Sequence, residues 1–513
     1  MNAWTSYDRD LLQPPGTGLT LDLSGLPGFD PGAWEDRLAP ALDALAALEA
    51  GAVANPDEGR QVGHYWLRSP ERAPAAAQAE AIRAAQADCV RLAGDLRRRL
   101  DPDTVLHLGI GGSALGPQLL AEALAPLPGL GGISAERYRV LDNTDPDGFE
   151  AALHHLDPAR TVVLVVSKSG GTVETRNAML RVRGYFAERG QPFAPRAVAI
   201  TAGGSKLYDL AVAEGWAGTL PLWDWVGGRT SVLGPVGLLP AALLDIPGEA
   251  LLAGAAAMDA AGRSPVVENP AALLAATWRQ AQQDRARAMV VLPYADRLSS
   301  LARYLQQLVM ESLGKRLDRA GREVRAGLTV YGNKGSTDQH AFVQQLRDGP
   351  DDFFCTFVEV RCPRGADPTL DGGYTASDTL TGFLEGTRAA LAEDGKQSLT
   401  IGLDRLDARS LGALIALFER AVGIYAELIG VNAYHQPGVE AGKRAAAGVL
   451  AAQARLTRAL EAGPLDAETL AERAGMTDPA LAWRILRRLA ACPGRGVEHL
   501  AGAGPTSDRF RRR

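Results

Sequence analysis

The chain is poor in cysteine and lysine and has no long uninterrupted apolar run. Its four cysteines, Cys89, Cys355, Cys362 and Cys492, are scattered and form no CxxC pair. That argues against a zinc site or a disulfide framework and fits a reducing compartment. The most apolar stretch, "VLGPVGLLPAALLDIPGEALLAG", is interrupted by three prolines, Asp245 and Glu249, too often to span a membrane. The opening "MNAWTSYDRDLLQPP" lacks the basic start and apolar core of a signal peptide. A cytoplasmic location, with no membrane partner, is therefore expected. The formal charge of −6 shows no basic excess, so no nucleic-acid partner is expected for the chain as a whole. Only six of the 54 basic residues are lysines: Lys168, Lys206, Lys315, Lys334, Lys396 and Lys443. Where arginine has so largely replaced lysine, a retained lysine hints at a compact or titratable ammonium, although each alone carries little weight.

What is present reads as a globular α/β protein. Hydrophobic residues make up 46% and charged residues 22%, and 513 residues suffice for two or three domains. Residues 35–100 are alanine-rich with helical spacing. Short β-rich runs then alternate with helical stretches: "TVLHLGIGGS" before "ALGPQLLAEALAP", "TVVLVVSKSGG" before "TVETRNAMLRVRGYFAERG", "RAVAITAGGS" before "KLYDLAVAEG". This alternation predicts a parallel sheet with crossover helices, its ligand groups at the carboxyl ends of the strands. A second cycle starts near residue 266. The expected organisation is a largely helical segment at 1–100 packing on the core, doubly wound αβα domains at 101–265 and 266–450, and a C-terminal helical extension at 451–513. In that extension, "LAERAGMTDPALAWRILRRLA" has the rhythm of a winged-helix or helix-turn-helix unit, and a small docking bundle is the plainer reading. The tail "GPTSDRFRRR" reads as frayed.

Several segments carry chemistry. In "SKSGGTVETRN" a buried strand opens onto Ser167, Lys168, Ser169 and Thr172, with Gly170 and Gly171 permitting close approach. Hydroxyls, helix N-terminal amides and one ammonium together suit a phosphate monoester, although such runs are also ordinary turns and caps. "GIGGSALG" (109–116), containing Gly112 and Ser113, is a second glycine-rich strand-to-helix turn. It is a loose dinucleotide fingerprint without a well-placed acid, and it lacks the Lys-Ser/Thr pair of a P-loop. Arg303, Gln307, Glu311 and Lys315 recur at i, i+4 opposite Leu301, Leu305, Leu308 and Val309. On spacing alone this is a solvated helix face with a Glu311–Lys315 pair. Arg229 in "VGGRTS" is either a turn residue or a guanidinium held near an oxyanion. His340 and His435 could be structural histidines.

It is the joint occurrence that decides. The blocks "GIGGSALGP", "DNTDP", "SKSGGTVETRN", "VGGRTSVLGPVGLLPAAL", "QQLVMESLGK", "GNKGSTDQHAFVQQLRDG" and "AYHQPGVEAGK" fall in order across roughly residues 105–445. With them the chain resembles the phosphoglucose isomerase (glucose-6-phosphate isomerase) family, in wording closest to the cyanobacterial and plastid branch. The resemblance implies two sugar-isomerase (SIS-type) domains and a homodimer. It further implies interconversion of D-glucose 6-phosphate and D-fructose 6-phosphate, a step of glycolysis and gluconeogenesis, with no metal and no organic cofactor. It assigns Gly112, Ser113, Ser167, Lys168, Ser169 and Thr172 to the phosphate, and Gln307 to a sugar contact. Glu311 becomes the base between C1 and C2, and Arg229 the cation for the enediolate. His340, from the neighbouring subunit, and Lys443 become the ring-opening pair, with Gln436 in the same terminal block. Thr230, Ala114 and His435 depart from residues common in many relatives, as that branch does, and they blur the finer substrate contacts. Two alternatives stand beside this reading: a non-catalytic phosphosugar sensor acting through the C-terminal unit, and a bifunctional isomerase that also accepts mannose 6-phosphate.

Overall fold

The computed structural model describes residues 3–461 and 463–513, with side chains described for all of these except 3–6 and 439–444. The chain forms two compact units, Met1–His435 and Gln436–Arg513.

The first unit holds two main sheets. Its N-terminal strands are β1 (Leu11–Leu12) and β2 (Leu19–Asp22), followed by β3 (Thr104–Leu108), β4 (Tyr138–Leu141), β5 (Thr161–Val166), β6 (Ala197–Thr201) and β7 (Gly218–Pro221). Strands β4-β3-β5-β6-β7 lie side by side in that order, all parallel. Every residue of β3, β5 and β6 is buried, as expected for strands covered on both faces. Alternation assigns each face its own core. Val105, Val162, Leu164, Val198 and Ile200 join the large central cluster, whereas Leu106, Val163, Val165 and Ala199 pack with Met179, Val182 and Phe186 on the other side. Each fully buried Val, Leu or Ile contributes about 1.5–3 kcal/mol, so an interruption in "TVVLVV" would be felt on both faces.

The second sheet contains β8 (Ala288–Tyr294), β11 (Thr329–Tyr331), β12 (Phe353–Cys362) and β13 (Ser398–Arg405), and between β8 and β11 the chain forms a hairpin of β9 (Lys315–Leu317) and β10 (Glu323–Ala326). Its order is β1-β2-β13-β12-β8-β11, parallel from β13 to β11. β2 joins β13 antiparallel, so the N-terminal segment supplies sheet edge as well as helices. The helix Ala408–Leu428 is buried through most of its length and packs on helices Gly248–Ala261 and Pro270–Gln283. It starts at a reciprocal cap, in which Asp407 accepts from the Ser410 amide at 2.8 Å and Ser410 Oγ accepts from the Asp407 amide at 3.0 Å. A buried ion cluster crosses these helices: Arg68 holds Asp259 through two 2.8 Å bonds and also bonds Glu419, and Arg420 donates to Glu49 at 2.6 Å. Such a cluster costs desolvation and survives only because its members are mutually paired. All four cysteines are free thiols.

The second unit runs helix Pro437–Ala459, β14 (Leu465–Asp466), helices Ala467–Arg473 and Pro479–Ala491, then β15 (Val497–Leu500) and β16 (Arg509–Arg512). Its sheet order is β14-β16-β15, all antiparallel. This corrects two expectations: the extension is not purely helical, and its tail is not frayed. Phe510, wholly buried, sits with Leu456, Leu470, Ile485, Leu486 and Leu489 in a separate core. Asp466 and Asp478 cap the two short helices, accepting from the amides of Thr469 (2.8 Å) and Leu481 (2.9 Å).

Among the described residues no helix is long and apolar enough to cross a membrane.

Candidate active site

The site grows from the carboxyl ends of β3 and β5. After β5 the backbone turns at Ser167–Gly171 and enters helix Val173–Glu188, with Thr172 as N-cap. Ser167 Oγ and Thr172 Oγ1 lie 3.0 Å apart, and Ser169 Oγ accepts from the Gly171 amide at 3.2 Å. Gly170 has φ +66°, and a Cβ there would lie 2.5 Å from the Leu207 amide nitrogen, so the turn requires glycine. Thr201 at the end of β6 clamps its base, donating to the Ser167 carbonyl at 2.7 Å. Ser169 and Gly171 are exposed, which leaves hydroxyl and amide donors open to an anion at a helix N-terminus.

After β3, Gly111–Ser113 forms a short 3-10 turn. Buried His107 holds it from beneath, its Nε2 2.6 Å from the Ser113 carbonyl and its Nδ1 2.7 Å from the Tyr138 hydroxyl. Burial lowers this imidazole to about 4, so at neutral pH it is an uncharged strut. A Cβ on Gly112 would lie 2.1 Å from the Gly228 carbonyl oxygen. Absence of that one carbon lets the β3 turn touch the Gly227-Gly228-Arg229 turn directly.

Arg229 is 9% exposed. Its Nη2 donates to the Ala433 carbonyl at 2.7 Å, and its Nη1 lies 3.4 Å from Glu311 Oε2. This is an ion pair rather than a short charged hydrogen bond, and no described residue hydrogen-bonds Oε2. Glu311 thus lies beside a fixed guanidinium with uncommitted lone pairs. The spacing predicted one amphipathic helix through Lys315; the structure departs from it. Helix Leu301–Leu305 widens into a π turn at Gln306–Glu311, and Lys315 opens β9. A π turn adds a residue per loop and rotates the downstream side chains off the i, i+4 stripe. Lys315 accordingly donates to the Glu311 backbone carbonyl at 2.7 Å, while the carboxylate turns to Arg229. Gln307 stands next to the β3 turn, its Nε2 2.8 Å from where a Gly111 Cβ would be.

Two retained lysines serve this region. Lys168 Nζ donates to the carbonyls of Asp224 (2.9 Å) and Val226 (3.0 Å), just ahead of the Gly-Gly-Arg turn. It is lowered by burial and by Arg60. Lys315 is 5% exposed, and burial followed by the Arg229 charge brings it to about 8. Lys168, Arg229 and Thr230 line one cleft with Asn55, Glu58, Arg60, His64 and Glu419. The 55–64 segment was not singled out from sequence; its only signal was a polar turn, "NPDEGRQ", ahead of the buried "HYWLR".

Thus Gly112, Gln307, Lys168, Arg229 and Glu311 meet around joined turns, and Ser113, Ser167, Ser169 and Thr172 stand on the same strand ends. His340 is exposed at the end of the 3-10 turn Thr337–His340 and does not line that cleft. His435 Nδ1 lies 3.2 Å from the Asn432 carbonyl, a structural role. Gln436 and Lys443 belong to the second unit, and the Lys443 side chain lies outside the described residues.

Comparison with known proteins places this chain in a family. The sequence profile described as Phosphoglucose isomerase matches residues 43–365 and 387–468. A glucose-6-phosphate isomerase of a Synechococcus strain is 51% identical over 97% of this chain and 96% of its own. That of Geobacter sulfurreducens is 49% identical, covering 99% of each chain. Among solved structures, a glucose-6-phosphate isomerase from Chlamydia trachomatis superposes with TM-score 0.78 at 27% identity, covering 87% of this chain and 90% of that one. A Thermus thermophilus protein titled hypothetical superposes at 0.72 with 30% identity, covering 84% and 99%. The profile match over most of its length and relatives about half identical over nearly all of it show that this chain belongs to the phosphoglucose isomerase family.

Proposed function

We propose that the chain interconverts D-glucose 6-phosphate and D-fructose 6-phosphate through a cis-enediolate, in the cytoplasm and as a homodimer. The half-identical glucose-6-phosphate isomerases support the reaction. The observation that carries the mechanism is Arg229 Nη1 at 3.4 Å from Glu311 Oε2, and the open hydroxyl and amide donors of the 167–172 turn support a phosphate site.

The phosphate sits on the 167–172 turn and the Gly112–Ser113 amides, remote from the reacting carbons, so its binding energy orients C1 and C2. Glu311 takes the proton from one carbon and returns it to the other. A hydrogen α to a carbonyl is too weakly acidic for an unaided carboxylate. The Arg229 guanidinium, held by the Ala433 carbonyl, faces the developing enediolate without reorganising. Gln307 contacts the sugar hydroxyls. Ring opening needs a base at the C1 hydroxyl and an acid at the ring oxygen, the roles of His340 and Lys443. The exposure of His340 away from its own cleft is what a residue reaching into a neighbouring subunit's site requires.

The test is Glu311→Gln, assayed by coupling glucose 6-phosphate formation to its dehydrogenase and by exchange of the C2 hydrogen with deuterated water. Turnover and exchange should fall together by about 10²–10⁴-fold, while a sugar-phosphate analogue still binds. Parental turnover, or a loss of binding equal to the loss of turnover, would remove Glu311 from the base role.

A further inference from the structure

The second unit has an architecture and a charge that isomerisation leaves unexplained. Helices Ala467–Arg473 and Pro479–Ala491 are joined by a tight turn in which Gly475 has φ +61°, and β15 and β16 come next as a ribbon. A helix-turn-helix with a β wing, built on the preceding long helix and a short third strand, is a nucleic-acid-reading layout in which the second helix enters the major groove. The family match ends at residue 468, ahead of that helix and the wing.

Charge changes at the same boundary. Residues 469–513 carry nine arginines and four carboxylates, formally +5, in a chain of −6, so residues 1–468 carry −11. On helix Pro479–Ala491 the buried side is Ala482, Ile485, Leu486 and Leu489. The exposed stripe is Ala480, Arg484, Arg487, Arg488 and Ala491, three guanidiniums between small residues that permit close approach. Arg487 contacts a ring nitrogen of His499 at 2.6 Å and Arg488 donates to the Gln453 amide oxygen at 3.2 Å, neither of them an anion. Among the described residues, Arg484 has only exposed Asp478 as an ion-pair partner, at 3.7 Å. The nearby acids are largely committed. Asp478 caps its helix, Asp508 accepts from the Gly502 amide (2.8 Å) and Trp483 (2.9 Å), and Glu498 pairs with Arg511 at 2.6 Å. Arg495 lies exposed at the root of the wing, just ahead of β15, and Arg509 lies exposed at its far end, opposite Leu500 and 3.8 Å from Asp466. Charges farther from the stripe than the Debye length, about 8–10 Å at physiological salt, are largely screened.

We infer that this winged unit binds duplex nucleic acid without marked sequence preference, through the Arg484–Arg487–Arg488 stripe and the wing, independently of the isomerase reaction.

The test uses the full-length protein and a fluorescent random-sequence DNA duplex of about 20 base pairs, two helical turns, monitored by anisotropy over a salt series. Binding should appear at low salt. With three phosphates neutralised, affinity should fall about 40-fold for a fourfold rise in salt. The triple variant Arg484→Glu, Arg487→Glu, Arg488→Glu should lose binding while its isomerase kcat and KM stay parental. Its melting curve should match that of the corresponding triple glutamine variant, which should bind weakly. No binding at low salt, undiminished binding by the triple variant, or equal capture of a polyglutamate chain would each overturn the inference. The last result would identify a general polyanion surface rather than a groove reader.

Discussion

Arg229→Lys isolates the proposed enediolate cation from the rest of the site. The guanidinium reaches Ala433 O at 2.7 Å and His435 O at 3.5 Å from Nη2, and Glu311 Oε2 at 3.4 Å from Nη1. An ammonium is one point and reaches only one of them well. Keeping Ala433 withdraws charge from the reacting carbons; turning toward Glu311 leaves a buried carbonyl unpaired, at a cost of about 1–3 kcal/mol. Loss of one pre-aimed donor to a developing oxyanion typically removes about 2.7–4 kcal/mol of transition-state stabilisation, or about 10²–10³ in kcat. The phosphate turn is untouched, so KM should hardly move. The measurement is steady-state kinetics in both directions, with a melting curve as control and a planar enediolate mimic as a ligand. The mimic should lose affinity by a factor close to the loss in kcat, while substrate affinity is kept. Unchanged kcat with raised KM would show that Arg229 binds ground-state substrate only, and the stabilisation argument would be wrong.

Neighbouring contacts lead to further expected outcomes. Lys168→Met removes two charge-assisted bonds, to Asp224 O and Val226 O, each worth about 1.5–3 kcal/mol. Both kcat and substrate affinity should fall, because the Arg229 turn loosens with the phosphate end; a pure KM effect would confine Lys168 to the phosphate. Co-purified heterodimers of His340→Ala with Glu311→Gln should regain about half of parental activity, one intact site of two, because a crossing histidine restores one cleft. Activity no higher than that of the two parent variants would put His340 in its own subunit's site. Burial raises the Glu419 carboxyl to about 7 against an ordinary value of 4.5. A raised folded value means that the native state holds the proton more tightly. This contribution to stability is complete below the unfolded value and is lost as pH rises through about 7. Melting temperatures from pH 5 to about 8 should therefore fall less for Glu419→Gln than for the parent; parallel curves would contradict that assignment.

Much of the site was legible because its signals are local. "TVVLVVSKSGG" carries strand, turn glycine and hydroxyl donors within eleven consecutive residues, and the structure uses them in that order. Arg229 and Glu311 each stood out locally, but their pairing was not legible, since it joins residues 82 apart in sequence. The π turn was not readable: "YLQQLVMESLGK" satisfies an α-helical stripe, and tertiary placement of Glu311 against Arg229 overrides it. The 55–64 segment lines the cleft through packing alone. β2 is four residues long and pairs with a strand nearly 400 residues away. In the tail, arginines on both sides of Phe510 masked the period-two pattern of a strand, so one buried ring decided what composition concealed.

The Gly112–Gly228 contact works as a ruler. Peptide backbone abuts peptide backbone there, so the span from the β3 turn, the proposed phosphate cradle, to the guanidinium is set by covalent geometry rather than by adjustable rotamers. Position 112 is consequently closed to every other amino acid: a single methyl group would push against the carbonyl of residue 228 and lengthen the gauge that the proposed sugar-phosphate site depends on.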